Sequence, residues 1–171
     1  MGFKKLNNYQ KFLSDLDSKL ESYFKCQSDY ICCKKGCSFC CEKGDYPISE
    51  IELLYLMQGY SSLSNDIKLL IQKNISTLEK GEKCPFLINK ECSIYQYRPI
   101  ICRVHGLAYL CHNKTAKIPY CVNNGLNFSK HYDGKEINIE PISENLDTSH
   151  LLQDLDYGVI RNLYDWIKKD N

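Results

Sequence analysis

The sequence predicts a mainly α fold in which helices pack around a cysteine-rich, loop-dominated centre. Three observations lead to this prediction. Apolar residues recur every three or four positions in several segments, which is the spacing of amphipathic helices. Residues 82–142 instead show few regular periods and hold five of the cysteines and four of the five prolines, a composition typical of loops and short turns. Eleven cysteines among 171 residues give those loops something other than a large apolar core to pack around.

The first two predicted helices have clear signals. Residues 3–25 predict an amphipathic helix whose apolar face consists of Leu6, Tyr9, Leu13, Leu16, Leu20 and Tyr23. A second helix is expected to begin at Pro47 and Ser49, because Ser49 and Glu52 match a capping box. Gly59 lies near the expected end of this helix.

Two further helices and one strand are predicted later in the chain. Residues 65–80 predict a helix with Ser64 as its N-cap and Gly81 as its stop. Its inward face is expected to consist of Ile67, Leu70, Ile71, Ile75 and Leu78. Residues 148–169 predict a C-terminal helix, since apolar side chains again fall on one side. Alternating isoleucines within residues 137–142 allow one short strand.

Length and charge limit the class of protein. A chain of 171 residues is expected to form one domain, with a metal-binding core at residues 30–125. Its 22 basic and 21 acidic side chains give a net charge of +1 without a basic block, so nucleic acid is not an expected partner. No run of 18 apolar residues occurs, so no contact with a membrane is expected. The first residues lack a secretory signal, and we expect a cytoplasmic protein.

Cysteine content is the outlying feature of the composition. Eleven is an odd number and the cytosol keeps thiols reduced, so a complete disulfide framework is not expected. Five cysteines fall within CCKKGCSFCC, residues 32–41, where short spacings let thiolates converge on a metal or cluster and Gly36 gives the backbone freedom for a tight wrap. The alternative is a buried group of reduced thiols packed as small apolar side chains. Three lysines around this loop should lower the thiol pKa values: Lys34, Lys35 and Lys43.

The second cysteine-rich segment is CPFLINKECSIYQYRPIICRVHGL, residues 84–107. Its three cysteines are too far apart for one tight turn, so they can share a site only through tertiary folding. Pro99 is expected to begin a helical turn that carries Cys102 and Arg103. Arg98 and Arg103 would counter the negative charge of several thiolates or donate hydrogen bonds to their sulfurs. The alternative for either arginine is a surface salt bridge.

Together the two segments resemble a known family. CKKGCSFCC followed by CPFL, a further cysteine, IY, RP and CR is similar to the pattern of the YkgJ family of cysteine-cluster proteins, described as zinc- or iron-chelating. The resemblance covers residues 30–125 and implies eight metal-associated cysteines: Cys33, Cys37, Cys40, Cys41, Cys84, Cys92, Cys102 and Cys121. In the family a cysteine shortly precedes an Asn-Phe pair, whereas here Asn127 and Phe128 follow Cys121 at a greater distance.

Four other residues near this set are interpreted separately. Cys26, Cys32 and Cys111 fall outside the family pattern, and we expect them to be plain thiols. His105 follows the CR motif closely, which makes it a candidate ligand or a hydrogen-bond donor to sulfur.

The donor set leaves the kind of centre open. Eight thiolates fit two zinc sites, one 4Fe-4S cluster with spare cysteines, or two clusters. Adjacent Cys40 and Cys41 are expected to point in different directions, so each would serve a different metal or one would support the other. A helical domain does not need the stabilisation that zinc gives to small folds, and irregularly spaced thiolates commonly hold iron–sulfur clusters. We therefore expect an iron–sulfur cluster, with zinc as the alternative.

Three functions are compatible with such a centre. The first is a metal- or cluster-binding protein that stores, delivers or senses metal or transfers an electron. The second is an enzyme of methyl-transfer or redox type, since flagellin lysine N-methylases carry a similar cysteine pattern. Cys33, Cys37 and Cys40 also resemble the cluster loop of radical S-adenosylmethionine enzymes, but neither their barrel nor a G-x-G-x-x-G motif is indicated. The third is a partner-binding module held together by zinc.

Overall fold

The computed structural model describes residues 2–34 and 36–168 of the chain, so Lys35, one of the lysines expected to lower thiol pKa values, lies outside the described residues. About 49% of the structure is helical, in agreement with the mainly α class, and its described strands form three two-stranded antiparallel sheets. The described α-helices are α1 (Gly2–Cys26), α2 (Glu50–Ser62), α3 (Asn65–Thr77), α4 (Ile100–Val104), α5 (Thr148–Leu151) and α6 (Leu163–Ile167).

Helix α1 has the amphipathic face that the sequence predicts. Its buried side chains include Leu6, Tyr9, Leu13, Leu16 and Leu20. They belong to an apolar cluster that includes residues of α2 and α4. Burying a leucine-sized side chain contributes roughly 1.5–3 kcal/mol, so this face holds α1 against the rest of the fold. None of the described helices is long and apolar enough to cross a membrane.

Helix α2 begins with the predicted capping box. The Ser49 hydroxyl accepts a hydrogen bond from the backbone N–H of Glu52, and the Glu52 carboxylate accepts one from the N–H of Ser49. The other oxygen of this carboxylate accepts the N–H of Ile100 at 2.8 Å, at the beginning of α4. Pro99 is the N-cap of α4, one position before the first helical position predicted for it. The fully buried Glu52 therefore joins the first turns of α2 and α4.

Helix α3 departs from the prediction at its C-terminal end. It ends at Thr77 instead of Lys80, because Leu78 already has an extended backbone conformation with ψ of 143°. Ile71 is fully buried, as expected for the inward face. Leu70 was assigned to the same face but is 43% exposed, so the inward face of α3 is narrower than the sequence predicts.

The predicted C-terminal helix over residues 148–169 is wrong. Helix α5 is only four residues long, and the chain then turns at Gly158, whose φ of +72° lies in the region that favours glycine. Strand β6 (Ile160–Asn162) follows and pairs antiparallel with β1 (Pro47–Ser49), before α6 begins. Pro47, predicted at the beginning of α2, is thus the first residue of a strand. The last residue of the predicted helix, Lys169, lies outside the described residues.

Hydrogen bonds between distant segments explain this departure. The backbone N–H groups of Glu50 and Ile51 donate to the carbonyls of Val159 and Tyr157, at 3.0 and 3.2 Å. The first N–H groups of a helix lack acceptors within the helix, and the extended C-terminal chain supplies them for α2. A continuous helix would use the same carbonyls for its own hydrogen bonds, so the extended chain satisfies groups that a helix would leave without partners.

Residues 82–142 form short elements, but the prediction of loops and short turns did not include the two hairpins found there, β2 (Leu87–Ile88) with β3 (Glu91–Cys92) and β4 (Tyr109–Leu110) with β5 (Ala116–Lys117). The strand expected within residues 137–142 is wrong. That stretch, which the structure describes in full, makes only isolated bridges to Tyr132 and Tyr109. The reason is that β4 is only two residues long, so the edge that faces away from β5 bonds to Ile142 and is too short for a ladder.

Candidate metal centre

One cavity of about 760 Å³ brings the predicted cysteines together. The cysteines on its wall are Cys32, Cys33, Cys37, Cys40, Cys41, Cys84, Cys92, Cys102 and Cys121. All eight members of the predicted ligand set are among them, and so is Cys32, which was expected to stand apart. Cys26 and Cys111 are not part of the wall that the described residues form. Arg98, Arg103 and His105 lie on the same wall.

Backbone contacts hold one half of this wall in place. The N–H of Cys84 donates to the carbonyl of Cys41 at 2.8 Å, which places the second segment beside the first cysteine loop. Cys92 pairs with Leu87 in the β2–β3 hairpin, so strand register fixes its backbone near that of Cys84. Cys102 lies in α4, whose first turn the Glu52 carboxylate anchors. Tertiary folding therefore brings the widely spaced cysteines together, as the sequence required.

Two tyrosines hold the backbone of the first cysteine loop. Tyr46 donates a hydrogen bond to the carbonyl of Cys40, and Tyr120 donates one to the carbonyl of Phe39, both at 2.7 Å. Gly36 has a φ of +87°, the conformation that a tight wrap was expected to need. Sequence reasoning missed both tyrosines, because no spacing rule relates a tyrosine hydroxyl to a backbone carbonyl, whether that carbonyl is six residues away, as for Tyr46, or in another segment, as for Tyr120. The only signal was the position of Tyr120 beside a predicted ligand cysteine.

Adjacent Cys40 and Cys41 do not point apart as expected. Their sulfur atoms are 4.0 Å from each other. Two sulfurs that bind one tetrahedral zinc, each about 2.3 Å from the metal, lie about 3.8 Å apart. The pair is therefore spaced to share one metal, and the objection that adjacent cysteines cannot do so is removed.

Burial keeps most of the cavity thiols protonated. It raises the pKa of Cys84 to about 12 and that of Cys121 to about 11, and it raises the pKa of Cys102 well above its ordinary value. Cys40 differs, because it shares a hydrogen bond with the thiol of Cys41; this bond lowers the pKa of Cys40 and raises that of Cys41. Thiols become ligands by losing protons, and a bound cation would compensate for charge that a buried cavity solvates poorly.

The two predicted arginines make different contacts. Arg103 is nearly buried; it donates to both carboxylate oxygens of Asp17, at 2.7 and 2.6 Å, and to two backbone carbonyls. These bonds form a salt bridge, as the alternative prediction has it, but Arg103 is nearly buried instead of lying at the surface. Arg98 stacks on the ring of Tyr95 at 3.6 Å. After the hydrogen bond with the neighbouring thiol, the charge of Arg98 also contributes to the lowered pKa of Cys40.

His105 gives the cavity a nitrogen atom without a protein partner. Its ring packs between those of Tyr46 and Tyr120, with centroid distances of 5.7 and 5.5 Å. Nε2 is buried, and the described part of the chain offers it no hydrogen-bond partner. Burial, and secondarily the charge of Lys117, lowers the pKa of His105, so the ring is neutral near pH 7. A neutral imidazole can ligate a metal or donate to sulfur.

The chemistry of the donor set fits a soft metal or a cluster, since thiolates are the ligands that zinc and iron–sulfur clusters prefer. The buried, unpartnered Nε2 of His105 fits a bound group as well. Among the described residues, however, no three or more His, Cys, Asp or Glu side chains are arranged so that they can hold a metal ion as they stand. Ligation therefore requires thiol side chains on this wall to rotate towards a common point.

Comparison with known proteins agrees with the cysteine pattern. The protein-family model for CxxCxxCC, described as a putative zinc- or iron-chelating domain, matches residues 32–124. This span is more than half of the chain and includes all eight predicted ligand cysteines. No curated protein and no solved structure matches the chain. The resemblance inferred from the two cysteine segments is thereby confirmed.

Proposed function

Because this chain belongs to the CxxCxxCC family of zinc- or iron-chelating domains, we propose that its function is to bind a metal centre through the cysteines of the central cavity. The centre that we propose is an iron–sulfur cluster of the 4Fe-4S type, with zinc as the alternative. The proposed ligands are drawn from Cys33, Cys37, Cys40, Cys41, Cys84, Cys92, Cys102 and Cys121.

The composition of the cavity wall is the observation that supports this proposal. Reduced cysteines in an ordinary core pack as small apolar side chains, and such cores contain few voids larger than a water molecule. Here nine of the eleven cysteines border about 760 Å³ of space. Thiols that surround a cavity, rather than fill a core, favour a bound group with affinity for sulfur.

The size of the cavity favours a cluster over a single zinc ion. A closed zinc site and a 4Fe-4S cluster each use four ligands, so the number of thiols does not distinguish them, but a zinc ion with ligands about 2.3 Å away occupies only a small part of the space. A cluster contains several irons and inorganic sulfides and accepts thiolates from separate loops. When bound, such a cluster supplies one-electron transfer at a potential set by its surroundings.

Groups of the protein would act on the centre in different ways. Cys40, whose pKa is lowered by its hydrogen bond with Cys41, would lose its proton to a metal more readily than the other buried thiols. Arg98 adds positive charge beside the thiolates, which offsets part of their mutual repulsion. His105 would use Nε2 as a ligand or as a donor to sulfur. Tyr46 and Tyr120 keep the carbonyls of the cysteine loop bonded, so the loop backbone stays in place while side chains rotate.

A cluster-dependent enzyme of methyl-transfer or redox type is the second candidate. The size of the cavity favours it, since small-molecule sites occupy roughly 300–1,000 Å³ and have mostly apolar walls. Phe24, Ile31 and Leu126 contribute apolar surface to this wall. Incubation with S-adenosylmethionine and a reductant tests this function. A cleaved or demethylated cofactor would support it, whereas an unchanged cofactor with an intact cluster would contradict enzymes that use it.

Metal analysis of protein purified without air tests the main proposal. Iron and sulfide in equal amounts, with broad visible absorption that air removes, are the expected result. Zinc without sulfide would favour the alternative and a structural role in an interaction module; absence of both metals would contradict the proposal. Cys37→Ser should lose the metal, while Cys26→Ser, which alters an exposed thiol outside the cavity wall, should retain it. Equal retention in both variants would contradict the ligand assignment.

A further inference from the structure

The side chain of Asn127 connects three backbone segments at the edge of the metal cavity. It is 1% exposed and lies on the cavity wall. Its Nδ2 group donates to the sulfur of Cys33 at 3.1 Å and to the carbonyl of Gly106 at 3.1 Å. Its Oδ1 atom accepts the backbone N–H of Cys32 at 2.8 Å. Asn127 lies beyond the segment that matches the family model, which ends at residue 124.

The chemistry of its partners fixes the orientation of this amide. The N–H of Cys32 can only donate, so the atom facing it must be the amide oxygen. The carbonyl of Gly106 can only accept, so the group facing it must be the NH₂. Both ends of the amide are thus assigned independently of the sulfur. The NH₂ group must then point one of its N–H bonds at Cys33.

The surrounding backbone holds Asn127 in this place. The N–H of Phe128 donates to the carbonyl of Tyr30 at 2.8 Å, which joins the Asn127 segment to the chain just before Cys33. Gly106 has a φ of +107°, and a Cβ atom there would lie 3.2 Å from the Asn127 Nδ2 and 3.3 Å from the Cys33 sulfur. Glycine at this position therefore leaves the space in which amide and sulfur meet.

We infer that Asn127 is a positioning residue for the metal centre, which holds the sulfur of Cys33 towards the cavity and donates a hydrogen bond to it. The inference rests on the proposed function, because it concerns a sulfur of the proposed ligand set. A metal-bound thiolate keeps lone pairs that accept such a bond, and partners of this kind orient ligands and tune the bound metal. Asn127 itself does not bind the metal in this proposal.

Gln27 is a matched control within the same chain. It is a buried amide, 3% exposed, and it also connects separate segments. Its Nε2 donates to the carbonyl of Ala108 at 2.9 Å, and its Oε1 accepts the N–H of Ala108 at 3.0 Å. Gln27 is not among the described residues that line the cavity. Replacing either amide by alanine leaves backbone groups without partners, but only Asn127→Ala removes a bond to sulfur.

Zinc affinity of the metal-free full chain, measured by competition with a coloured chelator, is the first test. Asn127→Ala should weaken zinc binding by about 10- to 100-fold, the usual effect of removing a partner of a metal ligand. Gln27→Ala should leave the affinity at the wild-type value even if its unfolding midpoint falls. Equal losses in both variants, or no loss in Asn127→Ala, would overturn the inference.

Unfolding midpoints of the metal-free proteins give a second test that does not depend on the proposed function. Asn127→Ala should lower the midpoint less in a Cys33→Ala background than in the wild type, because the bond is already absent. Gln27→Ala should lower it equally in both backgrounds. Additive effects for Asn127 would overturn the inference. If the wild type bound no metal, the proposed function would fail while this cycle still decided whether Asn127 acts on Cys33.

If Asn127→Ala does not fold, the same unfolding midpoints are measured for Asn127→Asp. It preserves the size of the side chain and the oxygen that accepts the Cys32 N–H, and it replaces the donating NH₂ by an oxygen. The same non-additive behaviour with Cys33→Ala is expected for it. Additive midpoint shifts in this variant would overturn the inference in the same way.

Discussion

At the scale of single residues, Arg98 and Arg103 are predicted to have separable effects. Arg103→Ala removes a nearly buried charge bonded to Asp17, and should lower the free energy of unfolding by about 1–3 kcal/mol. Arg98→Ala should cost less than about 1 kcal/mol, because Arg98 stacks on Tyr95, which is 56% exposed. The substitution Arg98→Ala should instead weaken zinc binding near pH 7, because the positive charge of Arg98 helps to lower the pKa of Cys40.

Urea unfolding of the metal-free proteins and zinc titration measure the two effects. Arg98→Lys is the matched variant, because it keeps the positive charge and loses the planar group that stacks on Tyr95. It should retain more of the zinc affinity than Arg98→Ala. An equal loss of affinity in the lysine and alanine variants would contradict the electrostatic explanation.

His105 predicts a pH dependence of stability. Burial lowers the pKa of His105 below its ordinary value of 6.5, so between the two values the unfolded chain binds more protons than the folded one. This contribution to stability is present in full above pH 6.5 and is lost as the pH falls towards the folded pKa, by at most about 1.4 kcal/mol per pH unit. His105→Phe should show a smaller loss on acidification.

Urea unfolding of the metal-free protein at a series of pH values measures this dependence. The groups that face the ring are Tyr46 and Tyr120, and the charge of Lys117 acts on it as well. His112→Phe is the control, because His112 is an exposed histidine and should leave the dependence unchanged. An identical pH dependence in wild type and His105→Phe would mean that this ring does not titrate as described.

At the scale of elements, two serines occupy N-cap positions but differ in bonding. Ser49 completes the capping box of α2 and is fully buried. Ser64 is the N-cap of α3, and its exposed side chain makes no capping bond to the described residues. Ser49→Ala should therefore lower the free energy of unfolding by about 0.5–2 kcal/mol, and Ser64→Ala by no more than about 0.5 kcal/mol. Chemical unfolding followed by circular dichroism measures both, and equal losses would be inconsistent with the observed bonding.

The turn before β6 gives a second prediction at this scale. Gly158 has a φ of +72°, and a Cβ atom there would clash with Glu50 at the beginning of α2, since it would lie 2.7 Å from the Cβ atom of Glu50. Gly125 has a similar φ of +74°, and apart from Gly125 and its two neighbours in the chain no described residue has an atom within 4 Å of the corresponding position. Gly125→Ala should cost only backbone strain, roughly 1–2 kcal/mol, and Gly158→Ala should cost more.

Hydrogen exchange distinguishes the two glycine variants locally. Gly158→Ala should speed exchange of the N–H groups of Glu50 and Ile51, because the clash displaces the carbonyls of Val159 and Tyr157 that accept them. Gly125→Ala should leave that exchange unchanged. Equal exchange at these positions in both variants would show that the turn does not hold the beginning of α2.

Whether an element could be predicted depended on how local its determinants are. The buried residues of α1 recur every three or four positions along a single segment, so this period was sufficient to predict the helix and its buried face. The C-terminal segment has a similar period, but the acceptors required at the beginning of α2 draw Tyr157 and Val159 into extended chain. No pattern within residues 148–169 reveals that requirement, because the donors lie far earlier in the sequence.

At the scale of the whole molecule, one part of the candidate site could be predicted from the sequence and another part could not. The resemblance to the family predicted which cysteines would come together, and all eight border one cavity. The groups that hold them could not be predicted. The contacts of Tyr120 and Asn127 exist only after distant segments have folded against each other. The bond from Tyr46 to the carbonyl of Cys40 is local, but no sequence pattern indicates it.

At this scale we predict that metal binding stabilises the whole fold. The proposed ligands lie on separate segments of the chain, so a metal bound to several of them connects these segments to each other. Free zinc at 100 times the dissociation constant of the wild type should raise the free energy of unfolding of the wild type by about 2.7 kcal/mol. Cys111→Ser should keep this gain, because Cys111 is not among the described residues of the cavity wall. Cys102→Ser, which alters a thiol on the wall, should lose part of it.

Urea unfolding with and without zinc measures the gain in each variant, and hydrogen exchange shows where it acts. Zinc should slow exchange in both the loop at residues 37–41 and the segment at residues 84–102, since each contributes thiols to the same wall. Protection confined to one of them would mean that the metal binds within a single loop. The cavity would then be a consequence of the fold rather than the place where two cysteine segments form one site.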